Sequence, residues 1–372
     1  MKIREIVTQL ELWAPPSLQE SYDNSGLQTG IDSDECIGVM VALDFTEAVL
    51  KEAVLRQCNL IIAHHPLIFK PIKSLAGNGL QARLLRFALQ HNLALYALHT
   101  NLDNVFSGVN RQFAKQIGLV PESLRILVPA NQRLLKLQTY VPLAQLEQVR
   151  QALFAAGAGS IGNYTECSFS VAGTGTFKPQ ENTNPFIGKA GGNRELVDEY
   201  KLEVIVPEWR MQAVFNALTE AHPYEEVAYE WLNIQNKLQD AGSGLIGLLP
   251  EPMQPTQFLK MIADQMGASV IKHSPIPTNP IHRVAICGGA GGFLLEKAIS
   301  QGAEAYITAD LKYHDFFLPD GRILLADIGH AESEMGVIDL ICNYIKRIFP
   351  TFAVLKSQVD TNPVRYFTGS NG

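Results

Sequence analysis

The sequence predicts an α/β protein: a discontinuous α/β core on a mostly parallel sheet, interrupted by a ferredoxin-like α+β insert. Three observations carry this. Short apolar runs alternate with amphipathic helical stretches near both ends of the chain, which is the rhythm of strand–helix–strand units with right-handed crossovers. Several of these runs pass directly into polar residues, as buried parallel strands do at their carboxyl ends. Between the two α/β blocks, residues 135–164 and 202–231 share one pattern of strand, Val-Pro turn, helix and strand. Two such β-α-β units make a ferredoxin-like sandwich. The core is expected over 1–127 and 239–372, and the insert over 128–238.

Taken in order, Ile3, Ile6, Val7 and Leu10 recur at helical spacing, and Pro15-Pro16 stop that helix. The turn-rich loop Y-D-N-S-G-L-Q-T-G (22–30) follows, then the apolar strand C-I-G-V-M-V-A-L-D ending in Asp44. Residues 45–57 read as a helix, and L-I-I-A (60–63) as a buried strand running into His64, His65 and Pro66. Proline cannot donate to a ladder and extends the residue before it, so the strand ends there. After a helix at 80–91, a third strand leads into His99, Asn101 and Asp103, and 109–117 is again helical. Within the insert, the stretch 173–192, rich in glycine, proline and asparagine, is expected as a long functional loop. The α/β rhythm returns near 239, with helices at 256–266 and 293–301, strands at 283–287 and 305–309, and a strand in 322–334 that runs into G-H-A-E-S-E.

At 372 residues, with 47% apolar and 18% charged side chains, the chain has material for two or three globular domains. A net charge of −7 offers no global attraction for nucleic acid or an anionic membrane. Five cysteines without C-x-x-C spacing argue against thiolate metal sites and disulfides. The N-terminal stretch is amphipathic with interspersed charges, unlike a signal peptide, and no run approaches the roughly 20 apolar residues of a membrane span. A cytoplasmic location is therefore expected.

Successive side chains of a strand point to opposite faces, so adjacent His64 and His65 suit two neighbouring ions better than one. On its own, H-H-P reads equally well as two partly buried histidines bonded to backbone. Further polar groups stand at other strand ends, however. His330 and Glu334 are four apart and share a face if a helix begins near Gly329, a metal-ligand spacing. Asp103 is a further oxygen donor or a cap for the next segment. Together, His64, His65, Asp103, His330 and Glu334 are too many for one ion and suffice for two, with a carboxylate bridging. Nitrogen and oxygen donors suit Zn, Fe or Mn without choosing among them. His99 and Asp44 are candidates to orient ligands. His314 is a candidate acid or base, or equally a structural histidine. C-G-G-A-G-G (287–292) departs from G-x-G-x-x-G at Leu294 and reads as a tight turn beside the site rather than a phosphate cradle. His222-Pro-Tyr-Glu-Glu226 reads as a helix terminus in preference to a metal site.

Six ordered motifs carry a resemblance that spans nearly the whole chain: Y-D-N-S-G-L-Q-T-G, L-I-I-A-H-H-P-L-I-F, A-L-H-T-N-L-D, C-G-G-A-G-G, T-A-D-L-K-Y-H and D-I-G-H-A-E-S-E. The sequence resembles the dinuclear-metal-centre hexameric proteins, the NGG-one-interacting-factor-three-like family, also called GTP cyclohydrolase I type 2 homologues. It departs in carrying Tyr22 where that family usually has tryptophan. The resemblance implies two metal ions per chain on His64, His65, Asp103, His330 and Glu334, and a toroidal homohexamer whose sites face an internal cavity. It also implies that the insert is of the PII and CutA type. The expected activity is metal-dependent hydrolysis of a nucleotide or phosphorylated metabolite. The alternative is a non-catalytic, metal-containing hexameric assembly whose insert senses a small molecule or a partner, with Lys178, Lys189 and Arg194 available for an anionic ligand.

Overall fold

The computed structural model describes residues 1–162, 164–238 and 240–367. The chain divides into two compact units, Met1–Ala130 with Asp240–Gly372, and Asn131–Gln239. The first begins with α1 (Ile3–Trp13), β1 (Gly26–Thr29), β2 (Val39–Ala42), α2 (Glu47–Leu55), β3 (Leu60–Ala63), α3 (Leu80–Gln90) and β4 (Ala94–Ala97). It continues through one-turn α4 (Thr100–Asp103), α5 (Val109–Gln116) and β5 (Arg125–Pro129). The inserted unit carries β6 (Leu134–Pro142), α6 (Leu146–Ala155), β7 (Ser168–Phe177), β8 (Glu195–Pro207), α7 (Met211–Ala221) and β9 (Tyr229–Ile234). The first unit resumes with β10 (Gly242–Met253), α8 (Pro255–Met266), β11 (Lys272–His273), β12 (Ile281–Ala290) and α9 (Leu295–Ser300). It closes with β13 (Ala305–Ala309), β14 (Leu324–Asp327), α10 (His330–Glu334), α11 (Gly336–Ile348) and β15 (Val354–Lys356).

The architecture is mixed α/β, but the core holds two sheets rather than one. The first runs β1-β4-β3-β2-β15, with β4, β3, β2 and β15 parallel and β1 antiparallel at the edge. Every residue of β2, β3 and β4 is buried, as strands covered on both faces require. Ile3, Ile6 and Leu10 of α1 and Ile341 and Ile345 of α11 pack on one face, while Val49, Leu50 and Ala53 of α2 and Ala88 of α3 pack on the other. The second sheet runs β11-β14-β13-β12-β10-β5 and is parallel only across β14-β13-β12. It is covered by Phe113 of α5 with Phe258 and Ile262 of α8, and on its far face by Leu295 and Ala298 of α9.

Strand β10 joins β12 to β5 in the second sheet, and its glycines and prolines hide it in the sequence. Its antiparallel partner β5 reaches Pro129, so the first unit extends to Ala130 and not to the expected residue 127.

In the inserted unit the chain order is β-α-β-β-α-β and the sheet order is β7-β8-β6-β9, antiparallel throughout. This is the ferredoxin-like order. Its core packs Val149 and Leu153 of α6 and Val214 and Leu218 of α7 against Leu137, Leu202 and Val204 of the sheet. The expected long loop is shorter than its composition implied. Residues 173–177 belong to β7, paired with β8 from Glu199 to Glu195, because threonine and phenylalanine alternate there with the glycines. No helix among the described residues is long and apolar enough to cross a membrane.

Candidate metal centre

The carboxyl ends of the parallel strands from both core sheets supply one cluster of polar side chains. Strand β3 ends at Ala63, and the amides of His64 and His65 both donate to the Leu43 carbonyl (3.1 Å each). The two imidazoles leave the end of the strand with ring centroids 5.0 Å apart, tilted by 48°. Gly329, at φ +95°, turns the chain after β14 so that α10 begins on His330. One turn on, Glu334 lies below it, 3% exposed.

The four histidines near this point are oriented alike. His64 Nδ1 donates to the Leu98 carbonyl (2.6 Å), and His65 Nδ1 meets Asp44 Oδ1 (2.7 Å). His330 Nδ1 meets Asp310 Oδ2 and His99 Nδ1 meets Asp23 Oδ1, each at 2.7 Å. A proton held on Nδ1 leaves Nε2 as the donor atom, the usual device for fixing a metal-binding imidazole. Asp44 is itself held by the Thr361 hydroxyl (2.6 Å), and Asp23 accepts from the Thr100 amide (3.0 Å).

Glu334 stands between the imidazoles with its two oxygens turned to different partners. Oε1 lies 3.6 Å from His64 Nε2. Oε2 lies 3.0 Å from His65 Nε2 and 3.1 Å from His330 Nε2. His65 and His330 bring their Nε2 atoms within 3.2 Å of each other. Asp103, on α4, puts Oδ1 3.5 Å from His64 Nε2. His64 Nε2 and Asp103 Oδ1 are buried without a hydrogen-bond partner. Unpaired buried polar atoms cost free energy, and these two are aimed at each other across a gap that suits a cation. His64, His65 and Glu334 could hold a metal ion, their ligand atoms lying within 4.8 Å of one another.

The electrostatics of the cluster lead to the same place. Burial opposes charge on His65, but hydrogen bonds to Asp44 and Glu334 outweigh it and raise the imidazole to about 10. His330 is likewise disfavoured by burial yet raised to about 9 through Glu334 and Asp310. Burial pushes the Asp103 carboxyl up to about 6 against the pull of His64. Glu334, though deeply buried, is held well below the usual carboxylate range by the surrounding imidazoles. Without metal, the centre is thus a carboxylate wrapped in protonated histidines, whose charge a bound cation would replace.

The glycine cluster explains how so buried a glutamate fits. Gly288 and Gly289 lie within β12, not in a turn after it. Gly289 has φ +61°, and a Cβ there would fall 2.3 Å from Glu334 Oε1. Its amide also donates to Ser333 Oγ (2.9 Å). Gly289→Ala is expected to destabilise the fold by about 1–3 kcal/mol and to lower metal content together with it. Thermal melts and metal analysis of the variant check both.

The structure brings together His64, His65, Asp103, His330 and Glu334, with Asp44 and His99 beside them. The His99 ring lies 5.4 Å from that of His64 and 5.5 Å from that of His65. It does not bring His314 there. That residue sits exposed on the 3-10 turn Tyr313–Phe317, packed on the rings of Tyr313 and Phe317. His222 bonds the Tyr140 carbonyl and caps the chain after α7, as a terminator would. Asp310 and Asp23 escaped sequence reasoning, although each lies in a quoted motif; an aspartate directly after a buried strand was the available signal for Asp310.

A cavity of about 660 Å³ adjoins the His65 and His330 side of the cluster. Asp44, Asp310, Asp327 and Glu332 line it with His65, His330 and Lys272, and the lysine is already paired with Asp327 at 2.6 Å.

A family model described as Duf34/NIF3 (NGG1p interacting factor 3) matches residues 1–363. A GTP cyclohydrolase 1 type 2 homolog of Halalkalibacterium halodurans is 37% identical over 97% of this chain and 98% of its own. The protein of the same description from Bacillus subtilis is 36% identical over 98% of both chains. The crystal structure of a Bacillus cereus protein related to NIF3 superimposes with a TM-score of 0.85 at 34% identity, covering 99% of each chain. With these matches along nearly all of its length, the chain belongs to the Duf34/NIF3 family.

Proposed function

We propose that His64, His65, Asp103, His330 and Glu334 hold two divalent metal ions, and that the protein is a metal-dependent hydrolase acting on a nucleotide or phosphorylated metabolite. The observation that carries this reading is the division of Glu334, with one oxygen toward His64 and the other toward His65 and His330. A carboxylate so divided would serve two neighbouring ions, and Asp103 would complete the side of His64. The chemistry that bound divalent ions supply is Lewis-acid polarisation of a carbonyl or phosphoryl oxygen and activation of water near neutral pH.

The chain's own groups set up the rest. Asp44 and Asp310 fix the imidazoles of His65 and His330 in position. Asp23 meets Nδ1 of His99 and so fixes the orientation of that ring beside the centre. Four carboxylates line the adjoining cavity, so an anionic substrate depends on the cations for counter-charge. That requirement ties binding, and not only turnover, to metal. The description of the relatives as GTP cyclohydrolase 1 type 2 homologs supports a nucleotide as the substrate class. The homohexamer implied by the resemblance belongs to the same proposal, and sedimentation velocity tests it.

Metal-loaded protein should be assayed against GTP and a panel of phosphoesters. Turnover that disappears in His65→Ala supports the hydrolase; turnover untouched by that change overturns it. A second reading, an assembly whose insert senses a small molecule, is favoured by the cavity in the inserted unit.

A further inference from the structure

That cavity, of about 660 Å³, lies wholly within the inserted unit, between the sheet and the segment that follows β7. Glu199 of β8 forms part of its lining, and this carboxylate is only 9% exposed. Its Oε1 accepts from the Tyr224 hydroxyl (2.7 Å). Among the described residues its Oε2 accepts no hydrogen bond. That oxygen instead lies over Gly175 of β7, where a Cβ would stand 2.0 Å from it. The glycine at this register is thus the space into which the carboxylate fits. Burial and the neighbouring carboxylate push the Tyr224 phenol up, so it remains a donor at neutral pH.

Around the carboxylate the walls are aromatic. The rings of Phe177 and Phe186 lie 6.0 and 6.2 Å from that of Tyr224, tilted by 57° and 50°. Glu225 accepts from the Asn184 amide (2.9 Å) and so ties the covering segment down next to Phe186. The basic residues do not balance the acids. Lys201 is engaged by Glu203 at 2.7 Å. Of the three basic residues that composition offered for an anion, Lys178 alone reaches the lining. A carboxylate with one oxygen unbonded, sharing a cavity lining with three tilted aromatic rings, is matched by an ammonium group carrying an apolar body.

We propose that the inserted unit binds a small organic cation, an amine with an aromatic or apolar body, through Glu199 in the cavity that Phe177, Phe186 and Tyr224 also line. The site uses none of the residues of the metal centre. Three probes of equal body and different charge test it on the full-length protein: phenethylamine, 2-phenylethanol and phenylacetate, followed by ligand-observed saturation-transfer NMR titration. The expected result is binding of phenethylamine at least tenfold tighter than phenylacetate, with 2-phenylethanol between. Glu199→Gln should remove most of that preference, and Gly175→Ala, which displaces the carboxylate, should weaken phenethylamine in the same way. Equal or tighter binding of phenylacetate, no binding of any probe, or a preference that survives Glu199→Gln in a folded variant overturns the proposal.

Discussion

Glu334→Gln is expected to empty the whole centre. The substitution keeps the volume of a side chain that is 3% exposed but removes the charge that three imidazoles share. Changing a residue that only orients a ligand commonly costs about 10–100-fold in metal affinity. Glu334 contacts the donor atoms themselves and serves both sides of the cluster, so the loss should exceed roughly 100-fold and fall on both ions at once. Metal analysis after gel filtration, with near-ultraviolet circular dichroism to confirm the fold, reads the outcome. Retention of one ion at full occupancy would mean that Glu334 does not bridge.

The second large effect is a pH dependence that separates the metal-stripped from the metal-loaded protein. His65 and His330 stand at about 10 and about 9 in the folded chain, against about 6.5 unfolded. Raised folded-state values favour the fold when the group is protonated. Their contribution is fully present below about pH 6.5 and is lost as pH rises through about 9 to 10. Asp103, at about 6, has largely titrated before this window opens. Metal-stripped protein should therefore lose on the order of 5 °C in Tm between pH 7 and 9.5. Metal binding requires the same imidazoles unprotonated and strengthens over that range, so the gap between loaded and stripped proteins should widen. Paired thermal melts at pH 6.5, 8 and 9.5 show it. A stripped protein whose Tm stays level or rises across these values would remove the electrostatic basis of the centre.

Much of this centre is legible in the sequence because its ligands follow local rules. His64 and His65 stand out through a four-residue apolar strand and the proline that ends it. His330 and Glu334 stand out through a spacing of four on a helix. What escaped was the set of carboxylates that orient these groups. Asp310 meets His330 across 20 residues and Asp23 meets His99 across 76, and no local period links either pair. In T-A-D-L-K-Y-H the turn at Tyr313–Phe317 carries His314 outward, while Asp310, at φ +56°, bends back to the site.

The fold shows the same division. Fully buried strands such as β3 and β13 declare themselves by composition, whereas β10 and the second half of β7 do not. Their glycines serve tertiary contacts. Gly247 lies where a Cβ would meet the Leu124 side chain at 2.7 Å, and Gly175 makes room for Glu199. A glycine placed for a neighbour is indistinguishable, along the chain alone, from a glycine placed for a turn.

The central claim is that five side chains form one centre for two ions. Metal analysis of the purified full-length protein, after saturation with Zn, Fe or Mn and removal of excess, tests it most directly. About two ions per chain, falling to none in Glu334→Gln, is the predicted result. A stoichiometry that stops at about one, or that is unchanged by Glu334→Gln, contradicts it.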